Sequence, residues 1–287
     1  MRNRGWLLTP VVTTMLLTAG CKAGTMPNPS ETVTETVTQE AVVTEEASEP
    51  AADASAVPAS GPVGGGRSEK VENDLYEFSY SYPDAAGSIP GLKAELDKQL
   101  EQARSELISS SRTDRGEAKK QGFPYHAHSY GEDWKVVADL PGWLSLSSQL
   151  YTFTGGAHGM STFETVLWDR HAETVRKPED LFVSKAALSK ALRTPFCAAL
   201  DKERGKRRGA PVASGSDEMF SDCIDPVEQV VILGSTNGQT FNRIGLLVPP
   251  YNAGPYAEGS YEITLPVTAA VMAALKPQYR ASFSLGK

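Results

Sequence analysis

Hydrophobic and polar residues follow two clear periods in the chain after residue 71. Tyrosine and phenylalanine occupy every second position of residues 76–82, which is the period of a strand with one buried face. Apolar residues then recur at steps of three and four over residues 92–107, which predicts an amphipathic helix. Residues 109–121 are predominantly polar, and we expect a loop there.

Several short apolar segments follow and are separated by Gly, Pro or Asp. They predict consecutive strands at residues 125–130, 134–140, 143–153 and 162–169. Taken with residues 76–82, these segments predict an antiparallel meander that has the helix on one face.

The second half of the chain predicts a further set of helices and strands. A helix is expected to start near Ser184 and to restart at Thr194–Pro195, because Thr caps helices and Pro suits their first position. Strands are predicted at residues 227–233, 243–248 and 261–265, and a last helix at 267–275. The expected fold class is therefore α+β, with antiparallel sheets and packed helices in two successive subdomains, residues 71–165 and 166–287.

The segment before residue 71 differs sharply in composition. Residues 22–70 contain no aromatic side chain and are rich in Thr, Glu, Val, Ala, Ser, Pro and Gly. Such a segment cannot bury enough apolar surface to offset its chain entropy, so we predict a disordered linker over residues 21–70. Its three basic and eight acidic residues give −5, which is most of the total net charge of −7. The overall acidity argues against a nucleic-acid-binding protein.

The first twenty residues are typical of an export signal. Two Arg lie within the first four positions, and a short apolar run over residues 6–17 leads to small residues before Cys21. This end resembles the lipobox of bacterial lipoproteins, although Thr18 stands where Leu is usual. The resemblance implies that Cys21 is lipidated, and Lys22 after it favours the outer membrane of a Gram-negative bacterium. The alternative is an ordinary signal peptide with an unlipidated Cys21.

The other two cysteines are Cys197 and Cys223. An even number of remaining cysteines in an exported chain predicts a disulfide, which would close the polar segment from residue 201 to 222. The alternative is two separately buried thiols.

Residues 151–159 hold the most informative motif, because Gly155, Gly156 and Gly159 surround His158. Glycines permit positive φ and close approach of the backbone. The His ring can face a ligand or act as a base. Alternatively, the glycines form a tight corner that His158 locks by a hydrogen bond to the backbone. The residues alone favour this second interpretation.

Other polar groups give weaker signals. His126 and His128 would face the same way on a strand, but no further ligand at suitable spacing completes a metal site, and we expect neither metal nor cofactor. A basic cluster lies inside the segment that the predicted disulfide would close, at Lys202, Arg204, Lys206, Arg207 and Arg208. It suits an anionic glycan, lipid head group or acidic protein, or it is simply a solvated loop after a helix end. No serine-hydrolase, zinc-protease, P-loop or dinucleotide motif is present, so no catalytic residue is assigned.

The run from Tyr151 to Gly159 and the sequence Pro255-Tyr256-Ala257-Glu258-Gly259 carry a family resemblance. Together with Asp180-Leu181-Phe182, they resemble a bacterial cell-envelope family of unknown-function domains, from about residue 73 to 287. That family includes the N-terminal region of the deacetylase PdaC and the extracellular domain of the anti-sigma factor RsiV. The chain departs from the family pattern at residues 170–177, where a Gly-containing turn is usual.

The resemblance implies an α+β fold in two subdomains and a non-catalytic module. Nothing here resembles the separate catalytic domain of the deacetylase. We therefore expect a lipid-anchored periplasmic module that binds peptidoglycan or a wall-active protein such as lysozyme, and that does not bind nucleic acid. The expected binding surface is the Gly155–Gly159 turn with the aromatic neighbours Tyr151, Phe153 and Tyr256. The alternatives are a small periplasmic hydrolase with His158 as its general base, and a structural envelope-assembly factor.

Overall fold

The computed structural model of the protein describes residues 65–212, 215 and 219–287. The predicted signal peptide, the lipidation site Cys21 and the linker up to residue 64 lie outside the described residues. Within the described part of the chain, no helix is long and apolar enough to cross a membrane.

The first sheet has six strands in chain order: β1 (Arg67–Glu72), β2 (Tyr76–Tyr82), β3 (His128–Leu140), β4 (Trp143–Phe153), β5 (Met160–Asp169) and β6 (Thr174–Arg176). Strand β1 was not predicted and begins within the expected linker. It pairs with β2 along its whole length, from Arg67 opposite Tyr82 to Glu72 opposite Glu77. Because Gly66 N–H donates to the Asp84 carboxylate at 2.6 Å, the entry to β1 is also fixed.

The predicted antiparallel meander is wrong at one pair of strands. Strands β2 and β3 are parallel, whereas every other neighbouring pair in this sheet is antiparallel. The chain leaves β2 through the short helix α1 (Asp84–Gly87) and then the long helix α2 (Pro90–Gln121). Helix α2 returns the chain to the end of the sheet where β2 begins. Strand β3 therefore runs in the same direction as β2.

Helix α2 also corrects the prediction of a loop at residues 109–121. The helix continues through this polar segment to Gln121 and ends at Gly122, whose φ of 77° is left-handed. Ser111 and Ala118 are its only buried residues after Leu107, so hydrophobic periodicity gives little signal there. Ion pairs Arg115–Asp74 and Lys120–Glu117 lie on this part of the helix instead.

The predicted strands at 125–130 and 134–140 form one strand, β3, which has a bulge between Val136 and Ala138. The strand at 143–153 is confirmed, and β5 begins two residues earlier than predicted. The predicted subdomain boundary between residues 165 and 166 falls inside β5.

The second sheet contains β7 (Val230–Gly234), β8 (Arg243–Val248) and β9 (Tyr261–Pro266), all antiparallel. Helix α3 (Lys185–Arg208) and the short helix α4 (Ala269–Ala274) pack beside it. The predicted start near Ser184 is confirmed, and Ser184 caps α3 because its side chain accepts from Ala187 N–H at 3.0 Å. The predicted restart at Pro195 is wrong, since α3 runs through this residue without interruption.

Two buried apolar clusters support these sheets. One lies between α2 and the first sheet and includes Leu92, Leu96, Phe78 and Tyr80. The other joins the end of the first sheet to α3 and the second sheet: Trp143 and Leu167 pack with residues of α3 and of β7–β9. Trp143 also donates from its indole N–H to Ser282 Oγ at 2.9 Å. The α+β class with mainly antiparallel sheets is confirmed.

Candidate functional site

The turn between β4 and β5 contains the glycine-rich motif. Gly155 and Gly156 have φ of 94° and 92°, a backbone conformation that residues other than glycine rarely adopt. Gly159 is buried, and a Cβ at this position would overlap the Tyr151 ring. The glycines therefore form the turn and allow Tyr151 to pack against the backbone of its far side.

His158 is exposed on this turn and contacts the Gly159 carbonyl and the Tyr256 ring. Its Nδ1 lies 2.9 Å from the Gly159 carbonyl, which only accepts, so the contact requires a proton on Nδ1. The ring stacks on Tyr256 with 3.9 Å between ring centroids and 19° between ring planes. Tyr256 donates to the same carbonyl at 3.0 Å. The hydrogen bond from His158 to the backbone, which was expected to lock the corner, is therefore present. The His158 ring is nevertheless exposed and contacts the Tyr256 ring.

Tyr251 also belongs to this site, and sequence reasoning missed it. Its ring centroid lies 6.4 Å from that of His158 and 5.7 Å from that of Tyr256. Its hydroxyl lies 3.4 Å from His158 Nε2. With Tyr151, these residues form the aromatic cluster, defined as Tyr151, His158, Tyr251 and Tyr256.

Phe153 was expected at the same surface. It is half-buried at the end of β4, where its backbone pairs with Ser129 of β3. It therefore borders the turn, whereas the ring contacts of the aromatic cluster involve His158, Tyr251 and Tyr256.

The segment that carries Tyr251 and Tyr256 is fixed by Glu258, which is the last residue of a single helical turn at Tyr256–Glu258. Arg208 Nε donates to Glu258 Oε1 at 2.7 Å, and the Tyr261 hydroxyl donates to the same carboxylate. Burial alone would raise the pKa of Glu258, but these hydrogen bonds and the Arg208 charge bring it below its usual value. The motif Pro255–Gly259 is thus explained by a carboxylate that ties the segment to α3.

Arg204 on α3 also binds the segment that carries Tyr251 and Tyr256. Its side chain is 0% exposed, and Nε donates to the Ala253 carbonyl at 2.8 Å. Its Nη1 donates to the Asp222 carbonyl at 3.0 Å and to the Asp201 carboxylate at 3.1 Å. The Arg204 side chain therefore links three parts of the chain: helix α3, the segment that follows α3, and the segment that carries Tyr251 and Tyr256, here called the aromatic loop.

The basic cluster lies inside the segment that the disulfide closes, as predicted, but its residues are on the last turns of α3 and not in a loop. Arg204 and Arg208 hold the segment before Gly259, and Arg207 lies over the Tyr261 ring at 3.9 Å from its centroid. Lys202 and Lys206 are exposed. Three of the five cations therefore serve the fold instead of an anionic partner.

The predicted disulfide is confirmed. Cys197 and Cys223 are bonded, with 5.4 Å between their Cα atoms, and they connect α3 to the segment before the strand β7. The bond lies next to the Asp222 carbonyl that Arg204 holds.

His126 and His128 do not share a strand face, because β3 begins only at His128. His128 is buried, and its Nε2 lies 3.4 Å from the Asp114 carboxylate on α2. Within the described residues, no group of three His, Cys, Asp or Glu could hold a metal ion.

One family model and two solved structures are similar to parts of this chain. The family model "Deacetylase PdaC" matches residues 69–161, which include the glycine-rich turn. No curated protein matches the chain.

Two solved structures of the DUF3298 family are similar to the chain. One is from Bacteroides fragilis, with a TM-score of 0.47 and 16% identity over 79% of this chain and 96% of that one. The other is from Pseudomonas aeruginosa, with a TM-score of 0.44 and 18% identity over 77% of this chain and 97% of that one. The match of the family model confirms the resemblance to PdaC-like domains over residues 69–161.

Proposed function

We propose that this protein is a non-catalytic lipoprotein of the cell envelope whose aromatic cluster binds peptidoglycan or a wall-active protein such as lysozyme. The observation that carries the proposal is the contact of His158 with Tyr251 and Tyr256 on an exposed surface. Aromatic rings offer flat apolar faces that stack on sugars and anchor protein interfaces. Tyr251 is 45% exposed, although its backbone N–H donates to the Gly254 carbonyl at 3.1 Å.

The way in which the cluster is held also favours binding. The β4–β5 turn positions His158, while Arg204 and Arg208 position the segment with Tyr251 and Tyr256. Rings that are already ordered lose little conformational entropy when a partner binds. The His158 ring has its Nδ1 on a backbone carbonyl and its face on Tyr256, which suits a stacking surface.

The proposed location rests on the sequence and on the disulfide. The signal sequence and Cys21 support export and a lipid anchor in the outer membrane. A disulfide between Cys197 and Cys223 suits an oxidising compartment such as the periplasm. The linker would hold the folded residues away from the membrane surface.

A retention experiment tests the proposal and distinguishes its two candidate partners. The lipoprotein is purified in detergent and applied to isolated peptidoglycan sacculi and to immobilised lysozyme. We expect one of the two supports to retain the folded protein. Heat-unfolded protein serves as the control for non-specific adsorption. Retention of the folded protein by neither support would contradict the proposal.

A further inference from the structure

A cleft lies on the helix side of the first sheet, between α2 and strands β3–β5. The leucines of α2 cover β2 and β3, but the polar half of β4 and β5 stays open beside the helix. The resulting cleft has a volume of about 550 Å³. Clefts of roughly 300–1,000 Å³ are the usual size for small-molecule sites.

The floor of this cleft carries a buried carboxylate, Glu132 on β3. Its side chain is 6% exposed, and it accepts from the Tyr130 hydroxyl at 2.6 Å and from Ser148 Oγ at 2.7 Å. Burial raises the pKa of Glu132 above its usual value, although both hydrogen bonds oppose the shift. The position of this carboxylate is therefore fixed, and its ionised form lacks a charged partner among these contacts.

A second carboxylate, Glu164, lies on β5 directly opposite Ser148 in the strand register. Partial burial and then the nearby Glu132 charge raise the pKa of Glu164, while Lys177 acts in the opposite direction. Glu106 on α2 adds a third carboxylate to the lining. The residues that line the cleft include no Lys, Arg or His, so its charge has a single sign.

The walls of the cleft combine apolar and hydrogen-bonding surface. Trp134, Leu150 and Val166 contribute apolar atoms, and the side chains of Gln99, Gln102 and Thr152 contribute polar ones. The Trp134 indole N–H donates to the Tyr80 hydroxyl at 2.9 Å, so its ring is held in place. A ligand with a small organic frame and one positive charge would match both the walls and the floor.

We propose that this cleft is a second ligand site, separate from the aromatic cluster, which takes a small organic molecule carrying a protonated amino group. The amino group would lie beside Glu132 and Glu164, and its frame would lie against Trp134. Tyr151 of the aromatic cluster lies on β4 between Leu150 and Thr152, which line the cleft, so its side chain points to the opposite face of the sheet.

Calorimetric titration of the intact protein near pH 7 tests the proposal with two amines and their uncharged counterparts. The probes are 1-aminopentane against 1-pentanol, and glucosamine against N-acetylglucosamine. Either amine is expected to bind at least about tenfold more tightly than its counterpart, and the pair that does so identifies an alkyl or a hydroxylated frame. Equal binding within both pairs, or no binding of either amine at about 10 mM, would overturn the proposal.

The matched variants are Glu132→Gln and Glu262→Gln, because Glu262 is an exposed residue on β9 of the other sheet. Glu132→Gln is expected to weaken amine binding by about tenfold or more, since it removes the buried charge that faces the amine. Glu262→Gln should leave binding unchanged. An amine that binds the Glu132→Gln variant as tightly as the parent would contradict the assignment.

The stability of the Glu132→Gln variant is a separate expectation that also shows whether the variant folds. The pKa of Glu132 is higher in the folded than in the unfolded protein, so the folded carboxyl holds its proton to higher pH. Ionisation therefore begins to cost stability as pH rises through the unfolded value of about 4.3. Gln avoids this cost, so we expect the variant to melt no lower than the parent at pH 7 and to lose its relative advantage at pH 4. A melting temperature clearly below that of the parent at pH 7 would contradict this account.

Discussion

Replacing Arg204 with alanine is expected to lower the free energy of unfolding by about 3–5 kcal/mol. The guanidinium is fully buried and donates to the Ala253 and Asp222 carbonyls and to the Asp201 carboxylate. Its removal leaves buried acceptors without these donors and opens a cavity between α3 and the aromatic loop. Urea denaturation near neutral pH measures the loss.

Lys202→Ala is the matched control, because Lys202 is an exposed cation two residues earlier on the same helix. Its effect should stay within about 0.5 kcal/mol. Arg204→Lys keeps the charge but loses the planar fork that reaches several acceptors, so we expect it to recover only part of the stability. If Arg204→Ala destabilised the protein no more than Lys202→Ala, the anchoring role of Arg204 would be wrong.

The disulfide is the second large contribution that we expect. The bond closes a loop with a sequence separation of 26 residues. A loop of this length gives about 3 kcal/mol by the chain-entropy relation. The double variant Cys197→Ser/Cys223→Ser should therefore lose about 3 kcal/mol in urea denaturation.

Treatment with dithiothreitol distinguishes the stability lost with the disulfide from any stability lost through the serine substitutions. It should destabilise the parent to a similar extent and leave the double variant unchanged. Because Arg204 binds the carbonyl of Asp222, next to Cys223, the losses from Arg204→Ala and from the double variant should not be additive. A parent whose stability is unaffected by complete reduction would contradict the stabilising role of this bond.

The elements with strong periodicity could be predicted from the sequence, and those held by polar contacts could not. The aromatic alternation of β2 and the bounds of β4 and β8 match the structure. The polar end of α2 was missed because few of its residues are buried. The parallel pairing of β2 and β3 follows from the intervening long helix, a signal that the meander prediction did not use.

In the functional site, likewise, local motifs could be predicted from the sequence and long-range contacts could not. Local motifs indicated the turn at Gly155–Gly159 and the segment at Tyr256, since glycine and proline constrain the backbone. Tyr251 is 93 residues from His158, and no local pattern connects the two. Likewise, the basic residues of α3 look like a solvated cluster in the sequence, yet their partner Glu258 lies 50 residues from Arg208. Long-range ion pairs of this kind require the fold itself.

If the aromatic cluster binds the partner, the loss of one of its rings must weaken binding, so the decisive experiment measures the affinity of Tyr251→Ala for whichever support retains the parent. Leu285→Ala is the control, because Leu285 is also an exposed apolar residue but lies beside Ser284, whose N–H donates to the Phe241 carbonyl, and takes no part in the ring contacts of the aromatic cluster. We predict that Tyr251→Ala weakens binding by about tenfold or more, with an unchanged melting temperature. Leu285→Ala should bind as the parent does. Equal affinity of the parent and Tyr251→Ala would contradict the claim.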